Sequence, residues 1–141
     1  MPALRYILDT DSVTHHQLGR PAIVQRIAQV AIGEAATTVI TLYEQIRGRL
    51  AAINRQQSDE EVQQAFQRLQ QTHSYFCRIP VVPFDSKAVA WYQQLLQQKI
   101  RIGTQDLRIA AIVLSHKAVL VTSNRRHFDL VPELRIEDWN R

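Results

Sequence analysis

Apolar positions recur in this chain with two periods. Short apolar or β-branched runs have the length of strands: Tyr6-Ile7-Leu8, Thr37 to Ile40, Val81-Val82 between two prolines, and Val119 to Val121. Longer stretches carry apolar residues at i, i+3 and i+4, the helical spacing. Ile23, Val24, Ile27 and Val30 stripe a helix that Pro21 opens and Gly33 ends. A helix from about Leu42 to Ile53 places Ile46, Leu50 and Ile53 on one face. Ser58-Asp59-Glu60-Glu61 matches a capping box and opens a helix striped by Val62, Phe66, Leu69, His73 and Phe76. Its opposite face is rich in Gln and Arg and is solvated. These two helices form a hairpin suited to packing on a second subunit. Asp85 or Ser86 caps a helix through Val89, Tyr92 and Leu96, with Trp91 anchoring one flank. Leu107 to Leu114 is almost wholly apolar and is expected to be the most buried helix. Ser12 to His16 suits a short helical turn, and Leu134 to Trp139 a weak edge strand. Strands alternating with helices predict an α/β fold: a mainly parallel central sheet with helices on both faces.

Composition narrows the class without changing that picture. The 141 residues suit one domain, 1–141, and the 45% hydrophobic content suits a packed core. No apolar run approaches the ~20 residues of a membrane span, and the charged N-terminal stretch is unlike a signal peptide. The single cysteine, Cys77, excludes an internal disulfide and fits a reducing, cytoplasmic setting; it is expected in a helix core. His73 is expected to be packed in the core. His15 and His16, being adjacent, share no helix face and are expected at the surface. A net charge of +4 and a pI near 9.6 suit a polyanionic partner.

Candidate chemistry gathers at one edge of the predicted sheet. Asp9 follows the first strand, Glu44 lies early in the helix after the second, Asp106 opens the most buried helix, and Asn124 follows the fourth strand. In a parallel sheet, strand ends and the starts of the following helices share one edge, so four segments aim at one region. Each residue also has a purely structural use. Asp9 can cap a helix, Thr41-x-x-Glu44 has capping-box spacing, Asp106 complements a helix dipole, and Asn124 suits a turn. Carboxylates brought together repel unless a cation or shared protons separate them. Mg²⁺ is the fitting cation, with Mn²⁺ as the alternative. Arg47, Arg108, Arg125 and Arg126 flank these segments with guanidinium forks suited to phosphate, and Thr122 is placed to support an acid or to contact phosphate.

The motifs themselves carry a resemblance. Ile7-Leu8-Asp9-Thr10-Asp11, Thr41-Leu42-Tyr43-Glu44-Gln45-Ile46-Arg47-Gly48, Ile102-Gly103-Thr104-Gln105-Asp106-Leu107-Arg108-Ile109-Ala110-Ala111 and Leu120-Val121-Thr122-Ser123-Asn124 occur in that order. With the ending Arg126-His127-Phe128, Val131-Pro132 and Leu134 to Trp139, the chain resembles a PIN-domain ribonuclease of the VapC toxin type along its full length. The resemblance implies a single PIN-like domain in which Asp9, Glu44 and Asp106 are metal-binding acids. It implies that Asn124 stands where many members carry a fourth acid. It further implies Mg²⁺-dependent endoribonuclease activity with transfer RNA as the favoured substrate, a homodimer, and neutralisation by a cognate VapB-like antitoxin.

Two other readings use the same residues. Asp9-Thr10-Asp11-Ser12-Val13 resembles the first motif of haloacid-dehalogenase-type phosphatases, with Asp9 as nucleophile and Asp11 as acid/base. That reading leaves Glu44 and Asp106 idle and finds no acid in Thr122-Ser123-Asn124. A non-catalytic RNA-binding module on the same fold fits the basic pI and Asn124, but not the intact Asp9, Glu44 and Asp106.

Overall fold

A computed structural model describes residues 3–141; the first two residues of the single domain expected over 1–141 lie outside the described residues. Five strands are described: β1 (Tyr6–Leu8), β2 (Ala35–Thr38), β3 (Val81–Val82), β4 (Val119–Val121) and β5 (Arg135–Glu137). They form one wholly parallel sheet in the order β3-β2-β1-β4-β5. The helices are α1 (Thr10–Gln17), α2 (Pro21–Gln29), α3 (Val39–Arg55), α4 (Asp59–Phe76), α5 (Ser86–Gln97), α6 (Thr104–Ser115) and α7 (Arg125–Phe128). Among the described residues, no helix is long and apolar enough to cross a membrane.

The central strand β1 is buried on both faces, so its side chains feed two cores. Ile7 joins α6 in one, with Ala110, Ala111, Ile112 and Leu120. Tyr6 and Leu8 point the other way, onto Val13, Ile23, Phe76 and Trp139. The sheet order reverses direction at β1, with β2 on one side and β4 on the other. This topological switch point is where open α/β sheets place ligands, and Asp9 is the residue that leaves β1 there.

Several local expectations need correction. The second strand ends at Thr38, not Ile40. Thr37 Oγ1 donates to the Leu8 carbonyl at 2.8 Å, and Thr38 Oγ1 accepts from Thr41 N at 3.1 Å, so the helix begins at Val39. The turn after β1 is a full helix, Thr10–Gln17, because Asp9 caps it. On α4 the inward stripe runs through Val62, Ala65, Leu69, Thr72 and Phe76, whereas Phe66 and His73 face outward. The small Ala65 and Thr72 allow closer helix packing than Phe66 or His73 would, and apolar spacing alone cannot express that. Cys77 is exposed as the C-cap of α4 rather than sitting in a core. His15 and His16 are half-buried: His15 Nδ1 lies 2.5 Å from Asn140 Oδ1, and His16 Nδ1 lies 2.7 Å from the Tyr75 hydroxyl.

Candidate active site

Asp9 is held from three sides. Its backbone N donates to Val121 O at 3.1 Å, tying the end of β1 to β4. Its Oδ1 accepts from Ser12 N at 2.8 Å, the N-cap bond of α1, and its Oδ2 accepts from Thr122 Oγ1 at 2.5 Å. It is only 4% exposed. Burial pushes its carboxyl up from 3.8 to about 6, against the lowering effect of the bonds from Thr122 and Ser12. Capping and candidate chemistry therefore coincide in one side chain, which reading Asp9 as a cap or as an acid had treated as rivals.

Thr122 is fully buried. Its backbone N donates to Glu137 O at 3.0 Å, and its hydroxyl oxygen accepts from Asn124 N at 2.9 Å while donating to Asp9. The expected phosphate contact is corrected accordingly: a hydroxyl with no exposure and two partners orients Asp9 and cannot reach RNA.

Glu44 is not part of a capping box, because α3 starts earlier and Thr38 caps it. Its Oε1 instead accepts from Thr10 Oγ1 at 2.8 Å, and the same hydroxyl lies 3.1 Å from Thr41 Oγ1. Thr10 directly follows Asp9, so this bond brings the α3 carboxylate beside the end of β1.

Asp106 lies in the first turn of α6, just inside the Gly103 cap. Burial raises its carboxyl, the neighbouring His127 lowers it, and the charge of Asp11 raises it. Asp11 acts in the same sense on Asp9, so all three aspartates share one field. Asn124 precedes α7, and its amide donates to His127 Nδ1 at 3.0 Å, while that nitrogen lies 3.9 Å from Asp106 Oδ2. The structure therefore brings Asp9, Glu44, Asp106 and Asn124 to one edge, through Thr10, Thr122 and His127 as intermediaries.

His127 escaped the sequence reading as a member of the site. Its signal was the Asn124-x-x-His127 spacing, which puts both on one face of a helical turn. The four arginines divide. Arg108 lies over the Tyr92 ring at 5.5 Å and donates to Gln105 Oε1 at 3.1 Å; Arg125 pairs with Asp129 at 3.8 Å and reaches Ile136 O at 3.4 Å. Arg47 and Arg126 are exposed, and no ion pair is recorded for either among the described residues.

The donor set is all hard oxygen at the acids, which suits a small divalent cation. Among the described residues, no three of His, Cys, Asp and Glu converge closely enough to enclose a metal ion. An ion that keeps several waters and takes one or two carboxylates fits that openness. Burial raises both Asp9 and Asp106, a cost that a cation would remove.

Comparison with known proteins fits the fold. A PIN domain is matched over residues 6–134. The chain belongs to the PIN-domain family. Within it, the chain is 28% identical over 138 residues to Ribonuclease VapC1 of Haemophilus influenzae, covering 96% of this chain and 98% of that protein. It is also 28% identical to the tRNA(fMet)-specific endonuclease VapC of Shigella flexneri, covering 97% and 99%. In shape it matches a chain of the DNA-bound VapBC from Salmonella typhimurium with a TM-score of 0.78, at 27% identity over 96% of this chain and 98% of that one. The VapC resemblance is thereby borne out, and the phosphatase reading of Asp9 and Asp11 is set aside. Asp11 is an exposed first-turn residue of α1, outside the bonds that hold Asp9.

Proposed function

We propose that this protein is a divalent-metal-dependent endoribonuclease and the toxin of a type II toxin–antitoxin pair. The observation that carries the reading is Asp9: a carboxylate buried at the switch point of the sheet, held by Ser12 N and Thr122, with Glu44, Asp106 and Asn124 brought to the same edge. Asp9 and Asp106 would hold Mg²⁺ or Mn²⁺, with Glu44 acting directly or through water. The ion would supply an activated water and offset charge on the phosphoryl group. The chain's own residues do the rest. Thr122 and the α1 cap keep both Asp9 oxygens in place. Thr10 orients Glu44 toward the crevice. Asn124 offers a neutral oxygen where a fourth acid would add charge. Arg47 and Arg126, exposed beside the acidic segments, are the arginines free to meet phosphate; Arg108 and Arg125 already have partners.

The substrate we propose is transfer RNA, by kinship with the Shigella flexneri endonuclease. The partner we propose is a VapB-like antitoxin, by kinship with the VapBC assemblies. One surface supports that partner. Val39, Leu42, Tyr43, Ile46, Arg47 and Leu50 line an almost wholly apolar groove of about 430 Å³ along α3, on the helix that carries Glu44. A segment laid there by its apolar face could reach the acids with an arginine. A homodimer through the α3–α4 hairpin is also proposed.

The test is cleavage of total RNA by purified protein in Mg²⁺ or Mn²⁺, with 5′ ends mapped and compared between the unaltered protein and Asp9→Asn. Cuts at defined tRNA positions that vanish in the variant are expected. Cleavage that persists in Asp9→Asn with unchanged metal dependence rejects the assignment.

A further inference from the structure

A second groove lies away from the acids, at the far end of α1. It is an open groove of about 610 Å³ walled by Gln17 of α1, by Gln67, Gln70, Gln71 and Tyr75 of α4, and by Arg78 just beyond it. No carboxylate lines it. Thr72 also lines it and accepts from Arg49 Nε at 3.0 Å. The Tyr75 ring is fixed at its hydroxyl by His16 at 2.7 Å.

The groove connects to the acidic edge through a series of hydrogen bonds that passes once through the backbone, at Thr10. Glu44 accepts from Thr10 Oγ1 at 2.8 Å, and Thr14 Oγ1, on the next turn, donates to Thr10 O at 3.1 Å. Gln45 Nε2 donates to Thr14 Oγ1 at 3.1 Å, and Gln17 Nε2 donates to Gln45 Oε1 at 2.8 Å. From Asp9 at the head of α1 to Gln17 at its tail is about 12 Å at ~1.5 Å per residue.

We propose that this groove is a second RNA subsite, holding single-stranded nucleotides that flank the scissile phosphate. The inference rests on the ribonuclease reading above. Its chemistry is distinct from that of the acids. A cluster of primary amides offers both donors and acceptors, the complement of exposed base edges, and carries no charge to repel phosphate. Arg78 adds one phosphate contact. The volume falls within the ~300–1,000 Å³ of small-ligand sites, enough for a nucleotide. A purely apolar wall would instead favour a protein helix, as in the groove along α3.

The test uses a fluorescein-labelled, mixed-sequence single-stranded 15-nucleotide RNA. Affinity is read by anisotropy across a salt series, on full-length protein carrying Asp9→Asn to prevent cutting. Arg78→Ala is expected to weaken binding and to flatten the log–log salt dependence by about 0.7, the share of one phosphate on a single strand. The Gln67→Ala/Gln71→Ala pair is expected to weaken binding by about threefold to tenfold while leaving the salt slope unchanged. The altered residues are exposed, so melting temperatures should match the parent. If binding is too weak to read, KM for cleavage of the same RNA by Asp9-intact protein replaces it, with the same directions. RNA that is cleaved with groove variants indistinguishable from the parent overturns the subsite alone. A change of oligomeric state in the variants by sedimentation also overturns it, making the groove an interface between copies. No cleavage of RNA by the unaltered protein overturns the ribonuclease reading itself.

Discussion

At the exit of β1 a buried carboxylate has a partner for each oxygen, whereas on the α3–α4 hairpin large apolar side chains face solvent. Asp9 is 4% exposed, yet Leu50 and Phe66 are 49% and 53% exposed. Among the described residues, no buried side-chain polar atom lacks a hydrogen-bond partner. The two regions thus carry opposite costs. The acidic edge keeps charge in a low-dielectric setting, which raises Asp9 and Asp106 and favours a cation. The hairpin keeps apolar area in water, which favours a second chain. Neither feature is what folding alone would select, and each supports one of the proposed contacts, with a cation at the acids and with a second chain at the hairpin.

The sharpest way to break this contrast is at Asp9. Asp9→Asn is expected to remove RNA cleavage entirely while the protein stays folded, because Asn also serves as an N-cap. Circular dichroism and a cleavage assay on the same preparation check both halves.

The same residue makes the metal-free protein sensitive to pH. A carboxyl raised on folding from 3.8 to about 6 favours the folded state fully below pH ~4, and that advantage is lost as pH rises through about 6. The loss should amount to about 2 kcal/mol between pH 4 and pH 7. Chemical denaturation of chelator-treated protein at several pH values measures it. Asp9→Asn should abolish most of this slope, and Mn²⁺ should offset it in the unaltered protein alone. A slope of the opposite sign would remove the desolvated-carboxylate account.

Thr122→Val isolates the support from the acid. Losing the donor to Asp9 is expected to lower cleavage by about 10–100-fold, the usual effect of removing a hydrogen bond behind a ligand. It should also move the pH dependence of stability upward, since the bond from Thr122 lowers the Asp9 carboxyl. An unchanged pH profile would leave Thr122 as a packing residue only.

Asn124 should matter less than either. Asn124→Asp is expected to tighten metal binding in RNA-free protein by calorimetry, and Asn124→Ala to slow cleavage less than Asp9→Asn does. Two tight metal sites in the unaltered protein would contradict the role of Asn124 as a neutral oxygen. On the hairpin side the expected effect on stability is smallest. Leu50→Glu or Phe66→Glu should shift monomer stability by no more than about 0.5 kcal/mol, as exposed positions do. Sedimentation should show the hairpin variants losing a dimer, and a dimer that persists in both would place the interface elsewhere.

Pattern and position along the chain were enough for the order of the longer elements, the parallel sheet and the approach of Asp9, Glu44, Asp106 and Asn124 to one edge. Hydrophobic period and strand-end position are local properties that survive without knowledge of neighbours. Which atoms meet depended on the packed fold. Thr38 rather than Thr41 caps α3 because Thr37 anchors to Leu8 O across the sheet, and this freed Glu44 to accept from Thr10. The inward stripe of α4 fell on Ala65 and Thr72, not on Phe66 and His73, because residue size sets how closely two helices approach. His127 joined Asp106 and Asn124 from a four-residue helix whose one sequence trace is the Asn124-x-x-His127 spacing. The guanidiniums of Arg108 and Arg125 were drawn to Tyr92 and Asp129. Contacts between residues distant in sequence depend on the summed geometry of every element between them, and no local pattern encodes that sum.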